Sequence, residues 1–332
     1  MKKLIPVILS MALGSTFLMG CTKSTQETSK SKTQVVSKEV KVSIPDGLPS
    51  IAIAKLANEN THIQEGYEIK YTIEKTPENL STSVMKQEPD IAIVPSNMAA
   101  IAYNKTSNYQ IAGSVGNGSF YLVSTKNIKG FEDLVGGKVL NSGKGLTPDI
   151  TVQSVLTDKG IDPASINFDY VNSTSELIPL LATGKADTGF VPEPALTMLM
   201  NKNPNIKIIK SLNDEWKQTK KSKDGYPQST IIVKSDFAKE NQEFIGLFLN
   251  AVSDSVDFAN INGSDVGDYA KKLGASVEPK IINKSLERAN LKFISIKDSI
   301  NDYKNYYQNL FDFDAKSVGG KIPDEGIYFI KE

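Results

Sequence analysis

The residues with the best claim to chemistry are polar groups that follow β-like runs, and their pattern suits binding better than bond-making. Asn141-Ser142-Gly143-Lys144-Gly145-Leu146-Thr147-Pro148 sets small residues and one amine ahead of a helix with Thr147 as N-cap and Pro148 as first helical residue. Free backbone N–H groups there, with the positive end of the helix dipole, suit a carboxylate, a sulfonate or another anion. The same residues also suit an ordinary capped loop with Lys144 in solvent. Ser96 and Asn97 offer a hydroxyl and an amide after the run Asp90-Ile91-Ala92-Ile93-Val94-Pro95, or simply cap the helix that follows. Glu193 lies between Pro192 and Pro194, which hold its carboxylate stiffly. It can accept a hydrogen bond from a ligand amine or ring N–H, or favour the start of the next helix. Among Phe120, Tyr121, Phe190, Trp216 and Tyr226, one or two rings would cover the flat or apolar part of a ligand. Trp216 and Tyr226 are the candidates, since neither lies inside an apolar strand run.

Enzyme signatures are mostly missing. Lys138 stands where a phosphate-binding loop ending at Gly143-Lys144 needs its first glycine, and no Ser or Thr follows Lys144. No Gly-x-Ser-x-Gly elbow occurs. With one histidine, His62, and one cysteine, Cys21, the chain cannot build a disulfide, a Cys/His metal site or a Ser-His or Cys-His nucleophile, and it needs no cofactor. Its 38 basic and 38 acidic side chains give no electrostatic footprint for nucleic acid.

The first residues read as a secretion signal. Lys2 and Lys3 supply the charge, and residues 5–18 an apolar run too short to span a bilayer. Leu18-Met19-Gly20-Cys21 closes it and resembles the lipobox of bacterial lipoproteins, which implies acylation of Cys21 as the mature N-terminus. Residues 22–38 are a polar tether that cannot bury apolar surface. The expectation is a protein working outside the membrane and held to it only by lipid. Arg288 is the sole arginine among many lysines, a bias that suits an AT-rich, Gram-positive genome.

The remainder is long enough for two lobes. Strand-like segments at residues 39–44, 67–73, 91–94, 138–140, 167–171 and 188–191 alternate with helical ones at 51–56, 77–86, 97–103, 148–158, 175–183 and 194–201. That alternation predicts parallel sheets covered by helices. Asp187-Thr188-Gly189-Phe190-Val191-Pro192 echoes residues 90–95, so two equivalent strand ends should face each other across a cleft, where open α/β sheets bind ligands. Strand-like residues 110–115 and 120–124 flank Gly116-Asn117-Gly118, the expected first crossing between lobes, and residues 228–234 are the expected return. The rest reads as helix: 241–260, 266–273, 280–290 and 296–311, the last with the core stripe Ile296, Ile300, Tyr303, Tyr307 and Leu310. Lobe 1 is therefore residues 39–116 with 230–332, and lobe 2 residues 117–229.

Taken together, the lipobox, the tether, residues 90–97, Gly184-Lys185-Ala186-Asp187, Val191-Pro192-Glu193-Pro194 and Gly320-Lys321-Ile322-Pro323-Asp324-Glu325 resemble the solute-binding lipoproteins of ABC importers. The likeness is to the nitrate/sulfonate/taurine class, which includes binders of thiamine-precursor pyrimidines. It implies a type II periplasmic-binding fold, α/β with two lobes and two crossover hinges, and a non-enzymatic monomer. Such a receptor closes on a small organic nutrient, anionic or heterocyclic, and hands it to a permease and its ATPase. The ligand contacts implied are Asp46, Gly47, Leu48, Pro49, Ser96, Asn97, Asn117, Ser142, Gly143, Lys144, Thr147 and Glu193. Arg288, in the C-terminal helices, departs from the arginine that sulfonate binders use in the cleft, which argues against a strong oxyanion. The alternatives are a thiamine-pyrimidine or menaquinone enzyme on the same scaffold, which the signal sequence opposes, and an extracellular sensory domain, for which no transmembrane or signalling segment follows Glu332.

Overall fold

The computed structural model describes residues 37–59, 62–145 and 147–330, so the signal, the lipobox with Cys21 and nearly all of the tether lie outside the described residues. The chain begins with β1 (Lys38–Pro45), α1 (Leu48–Ala52), α2 (Ala54–Glu59), β2 (Tyr67–Glu74), α3 (Pro77–Met85), β3 (Ile91–Pro95), α4 (Ser96–Thr106) and β4 (Tyr109–Asn117). There follow β5 (Phe120–Ser124), β6 (Lys138–Ser142), α5 (Thr147–Asp158), β7 (Asn167–Val171), α6 (Thr174–Ala182), β8 (Thr188–Pro192), α7 (Ala195–Lys202), β9 (Lys207–Ser211) and α8 (Leu212–Lys220). The chain then returns through β10 (Pro227–Lys234), α9 (Ser235–Glu240), α10 (Gln242–Ile261), α11 (Gly263–Leu273), α12 (Pro279–Ser285), β11 (Leu291–Ser295) and α13 (Ile296–Phe313).

Two sheets result, ordered β11-β4-β10-β3-β1-β2 and β7-β6-β8-β5-β9. The βα repeats give parallel pairs, β2-β1-β3 and β7-β6-β8, because each strand is reached by a helical crossover. The sheets are nevertheless mixed, which corrects the all-parallel expectation. β5 and β10 are the strands by which the chain enters a sheet from the other one, so they arrive from the opposite end and pair antiparallel with β8 and with β3 and β4. β9 and β11 are antiparallel edge strands. The strand–helix pair β9 and α8 escaped the sequence reading, and so did β11, which falls in the unassigned gap between the helices expected at 280–290 and 296–311. Residues 228–234 are not the return crossing but the interior strand β10; the chain changes sheet at 118–119 and again at 221–226.

The sequence echo has a structural counterpart. β3 lies between β1 and β10, and β8 between β6 and β5, so the two copies hold equivalent places in their sheets. Both are covered on both faces, which is why each is an unbroken apolar run ending at proline rather than an alternating pattern.

Local chemistry fixes the helix starts. Thr76 Oγ1 accepts from Asn79 N–H at 3.2 Å ahead of Pro77, Ser211 Oγ from Asp214 N–H at 3.2 Å, and Ser295 Oγ from Asp298 N–H at 3.3 Å. Of the stripe foreseen on α13, Ile296, Tyr303, Tyr307 and Leu310 are buried and Ile300 is half-buried.

Three apolar clusters hold the body together. One covers the outer face of the six-stranded sheet with α10 and α11, and one joins α6 and α7 to the five-stranded sheet. The third belongs to both sheets: it runs from Val94, Ile111 and Ile232 through Tyr303, Tyr306 and Tyr307 of α13 to Trp216, Tyr226, Val139 and Phe190. Two wholly separate cores are thus not what the chain builds.

A buried hydroxyl chain ties α13 to the six-stranded sheet. Tyr303 Oη bonds Thr230 Oγ1 at 2.7 Å, Thr230 Oγ1 bonds Ser96 Oγ at 2.6 Å, and Ser96 Oγ donates to Pro227 O at 2.8 Å. Tyr303→Phe should cost about 1–2 kcal/mol in urea unfolding with an unchanged slope, since it removes the bond to Thr230 and a longer one to Gly113 O at 3.4 Å and leaves Thr230 its second partner.

Candidate functional site

The carboxyl ends of β1, β3 and β8 and the starts of α1, α5, α6 and α7 line a cavity of about 690 Å³. Pro95 and Pro192, the last residues of the two echoed strands, both line it. One wall comes from the six-stranded side: the turn after β1, Lys75 after β2, Gln228 and Ser229 of β10, and Ser276 with Val277 from the connection between α11 and α12. The other comes from Phe120, Thr147, Pro148, the Ser173-Thr174-Ser175 start of α6, Ile178, and residues 192–195 with Met198 and Lys202.

At the turn after β1, Gly47 has φ +116°, a conformation that L side chains rarely adopt, and so the chain can turn sharply into Leu48 and Pro49 of α1. Asp46, Gly47, Leu48 and Pro49 all line the cavity. The Asp46 carboxylate accepts from Ser276 N–H at 3.0 Å, from Ser276 Oγ–H, and from Lys75 Nζ at 3.0 Å. Burial pushes its pKa upward, but the Ser276 hydrogen bonds and Lys75 outweigh this and hold it below the usual carboxylate range.

Glu193 stands at the end of β8 with its side chain wholly shielded from water. Its Oε1 accepts from Arg288 Nε at 2.6 Å and from Thr197 Oγ1–H at 3.0 Å, and its Oε2 from Thr197 N–H at 3.1 Å. Burial raises its pKa; Arg288 and then Thr197 pull the other way without overcoming it. Arg288 Nη2 also donates to Thr197 Oγ1 at 2.8 Å, and Tyr121 Oη donates to Arg288 O at 2.7 Å. The sequence placed Arg288 away from the cleft and gave Glu193 to a ligand. The structure joins the two, with Glu193 among the lining residues and Arg288 outside them.

Tyr226 precedes β10 and is among the residues that line the cavity. It stacks on Tyr306 with centroids 5.7 Å apart, and Trp216 meets it edge-on at 5.6 Å. Trp216 is buried behind Tyr226 and does not reach the cavity wall. Burial pushes the Tyr226 hydroxyl well above its ordinary pKa, so it stays neutral.

The 142–147 loop is arranged differently from an open anion cradle. Ser142 N–H donates to Asn141 Oδ1 at 2.9 Å, Gly143 N–H to Val171 O at 3.2 Å, and Gly145 N–H to Asp149 Oδ2 at 2.8 Å. Lys144 Nζ lies 5.3 Å from the Tyr170 ring centroid, and of the described residues of this loop only Thr147 reaches the cavity wall. Thr147 is the first residue of α5 rather than its cap. Ser96 is spent in the hydroxyl chain under α13, Asn97 is half-buried on α4, and Asn117 is buried in β4 with its N–H on Asn290 O; none of these three lines the cavity. His62 is exposed, its Nδ1 3.1 Å from Tyr67 O.

Lining residues that the sequence reading passed over fall into two groups. Ser173-Thr174-Ser175 follow the carboxyl end of β7, and the strand-end rule that singled out the other loops applies to them equally. Ser276 and Val277 carry no local signal, because only the packing of α11 against α1 and α2 brings them to the turn after β1.

A profile of the family described as "NMT1/THI5 like" matches residues 63–262, more than half of the chain. The chain belongs to the NMT1/THI5-like family. No curated protein matches it. Among solved structures, an ABC transporter protein from Parabacteroides distasonis superposes with TM-score 0.77 at 24% identity, covering 88% of this chain and 99% of that one. The periplasmic aliphatic sulphonate binding protein SsuA from Escherichia coli gives TM-score 0.70 at 14% identity, with 85% and 89% covered. The periplasmic nitrate-binding protein NrtA from Synechocystis PCC 6803 gives 0.61 at 11% identity, with 85% and 84% covered. At these identities the likeness establishes the fold, which is that of type II periplasmic binding proteins. The family match leaves out the turn at residues 46–49, Ser276 and α13, so part of the cavity wall of this NMT1/THI5-like chain lies beyond the matched region.

Proposed function

We propose that this protein is the solute receptor of an ABC importer, tethered outside the cell membrane by lipid on Cys21. In this reading residues 39–116 with 230–332 and residues 117–229 act as two lobes, which capture a small organic molecule and present it to a permease. One observation carries the reading: a single cavity is lined from both sheets, at the strand ends where open α/β sheets take ligands. Its lining side chains include no histidine and no cysteine, and both carboxylates among them are engaged by protein donors. That arrangement supports capture without chemistry. A ligand touching both walls stabilises the closed form by its differential affinity.

The test is a thermal-shift screen of the purified chain against nutrient-sized molecules, alongside Ala195→Phe, which puts a ring into the cavity from the start of α7. A true ligand at about 100 times its Kd should add about 2.7 kcal/mol, and hence several degrees, to wild type. The variant should show no shift. Equal shifts in both proteins, or none in wild type across the screen, would defeat the receptor reading.

A further inference from the structure

Four helices begin at the cavity, and each already has a carboxylate at its start. Asp46 precedes α1, Asp149 lies in the first turn of α5, Glu176 in the first turn of α6, and Glu193 just ahead of α7. The partial positive charge that a helix start would offer an anionic ligand is therefore answered from within. Asp149 is buried and saturated: it accepts from Gly145 N–H at 2.8 Å, Tyr170 Oη at 2.8 Å, Gln153 Nε2 at 3.0 Å and Asn141 Nδ2 at 3.3 Å. Glu176 takes Asn172 N–H at 3.1 Å. Asp46 and Glu193 are held as described above.

The cations are committed as well. Lys75 Nζ donates to Asp46, Gly274 O and Ser276 Oγ, and Arg288 is locked to Glu193 and Thr197. Lys202, the last residue of α7, lines the cavity but is exposed to water. An anion entering the cavity would meet no buried free cation among the described residues and four carboxylates close by. A cation would find no carboxylate without donors. What remains on the wall is mainly apolar, Leu48, Phe120, Ile178, Met198, Tyr226 and Val277 with seven prolines that carry no N–H to donate, beside neutral polar groups at Thr147, Ser173 to Ser175, Gln228 and Ser229, of which the Thr147 and Tyr226 hydroxyls are buried without a protein partner.

We propose that the cavity takes an uncharged molecule of largely apolar surface, which sets this chain apart from a receptor for nitrate or sulfonate. The proposal rests on the receptor reading and narrows its ligand. Bringing a full charge out of water demands a partner inside, and the one lining lysine besides Lys75, Lys202, is solvent-exposed and offers no buried charge. A neutral ring or chain needs only the apolar wall and a few polar contacts.

The purified full-length chain is incubated with the low-molecular-weight fraction of yeast extract, repurified, denatured, and the released molecule identified by mass spectrometry. Wild type should release a molecule that is uncharged at neutral pH. Ala195→Phe, and separately Ser175→Trp at an exposed lining position, should release at least tenfold less. Nitrate and ethanesulfonate at about 10 mM should leave the melting temperature of wild type within about 1 °C of its ligand-free value. Release of a carboxylate, sulfonate, phosphate or organic cation, or a clear shift with either anion, would overturn the proposal and leave the receptor standing. Release of nothing from wild type would remove both.

Discussion

Arg288→Met should destabilise the protein by about 3–5 kcal/mol, because it leaves the Glu193 carboxylate buried with its charge unpartnered. In a chain of this size that lowers the melting temperature by roughly 6–15 °C. The pair is 2.6 Å long, Glu193 is fully shielded, and Arg288 keeps a quarter of its side chain in water, so the loss falls on the side that cannot be rehydrated. Thr197 still supplies two hydrogen bonds, which holds the cost below that of an isolated buried charge. The pH dependence gives the signature. Burial already raises the Glu193 pKa, and removing Arg288 raises it further. Between the unfolded value near 4.5 and the raised folded value, the native state holds the extra proton, so stability falls as pH rises through that window. The deficit of the variant relative to wild type should therefore be full at about pH 8 and shrink by about pH 5. Adding Glu193→Gln should restore most of the loss and flatten the difference, a non-additivity expected of a directly coupled pair. A single variant melting within about 2 °C of wild type at every pH would show that the two residues do not depend on each other.

The contrast between Glu193 and Arg288 also shows what a sequence can reveal of this site. The echo of residues 90–95 in 187–192 is legible because a strand buried on both faces and stopped by proline leaves a compact signature, and β3 and β8 do occupy matching places with Pro95 and Pro192 on one cavity. The stripe on α13 is legible for the same reason, a period set by local geometry. Partnership between residues far apart in the chain is not. Arg288 lies 95 positions from Glu193 and Ser276 lies 230 from Asp46, so the neutralisation of both lining carboxylates follows from tertiary packing alone. The loop at 142–147 misleads in a different way: its glycines and helix start do suit an anion, but Asp149, not singled out from sequence, accepts from Gly145 N–H and takes the place an anion would fill. β9, α8 and β11 were missed where short strands of mixed burial carry no clear alternation.

Gly118→Ala should cost about 3 kcal/mol and weaken capture at the cavity at least tenfold, although it adds only one methyl group. A Cβ on Gly118 would lie 2.2 Å from Cε1 and 2.3 Å from Cζ of Tyr226. The ring cannot step back, since Tyr306 and Trp216 pack behind it at 5.7 and 5.6 Å. Nor can the backbones part freely, because Gly118 N–H donates to Tyr226 O at 3.1 Å where the chain passes between sheets. The open direction is the cavity, so a displaced ring occupies the ligand's space. Gly116→Ala serves as control: two residues earlier, its nearest neighbour would be Leu291 Cδ2 at 3.6 Å, an ordinary contact, and its cost should stay below about 1 kcal/mol. Tyr226→Leu removes the colliding ring atoms, so in its background Gly118→Ala should cost far less than in wild type. Equal costs in the two backgrounds would mean that the strain resides in the backbone, and the assignment of Tyr226 as the side chain pinned between crossing and cavity would fail.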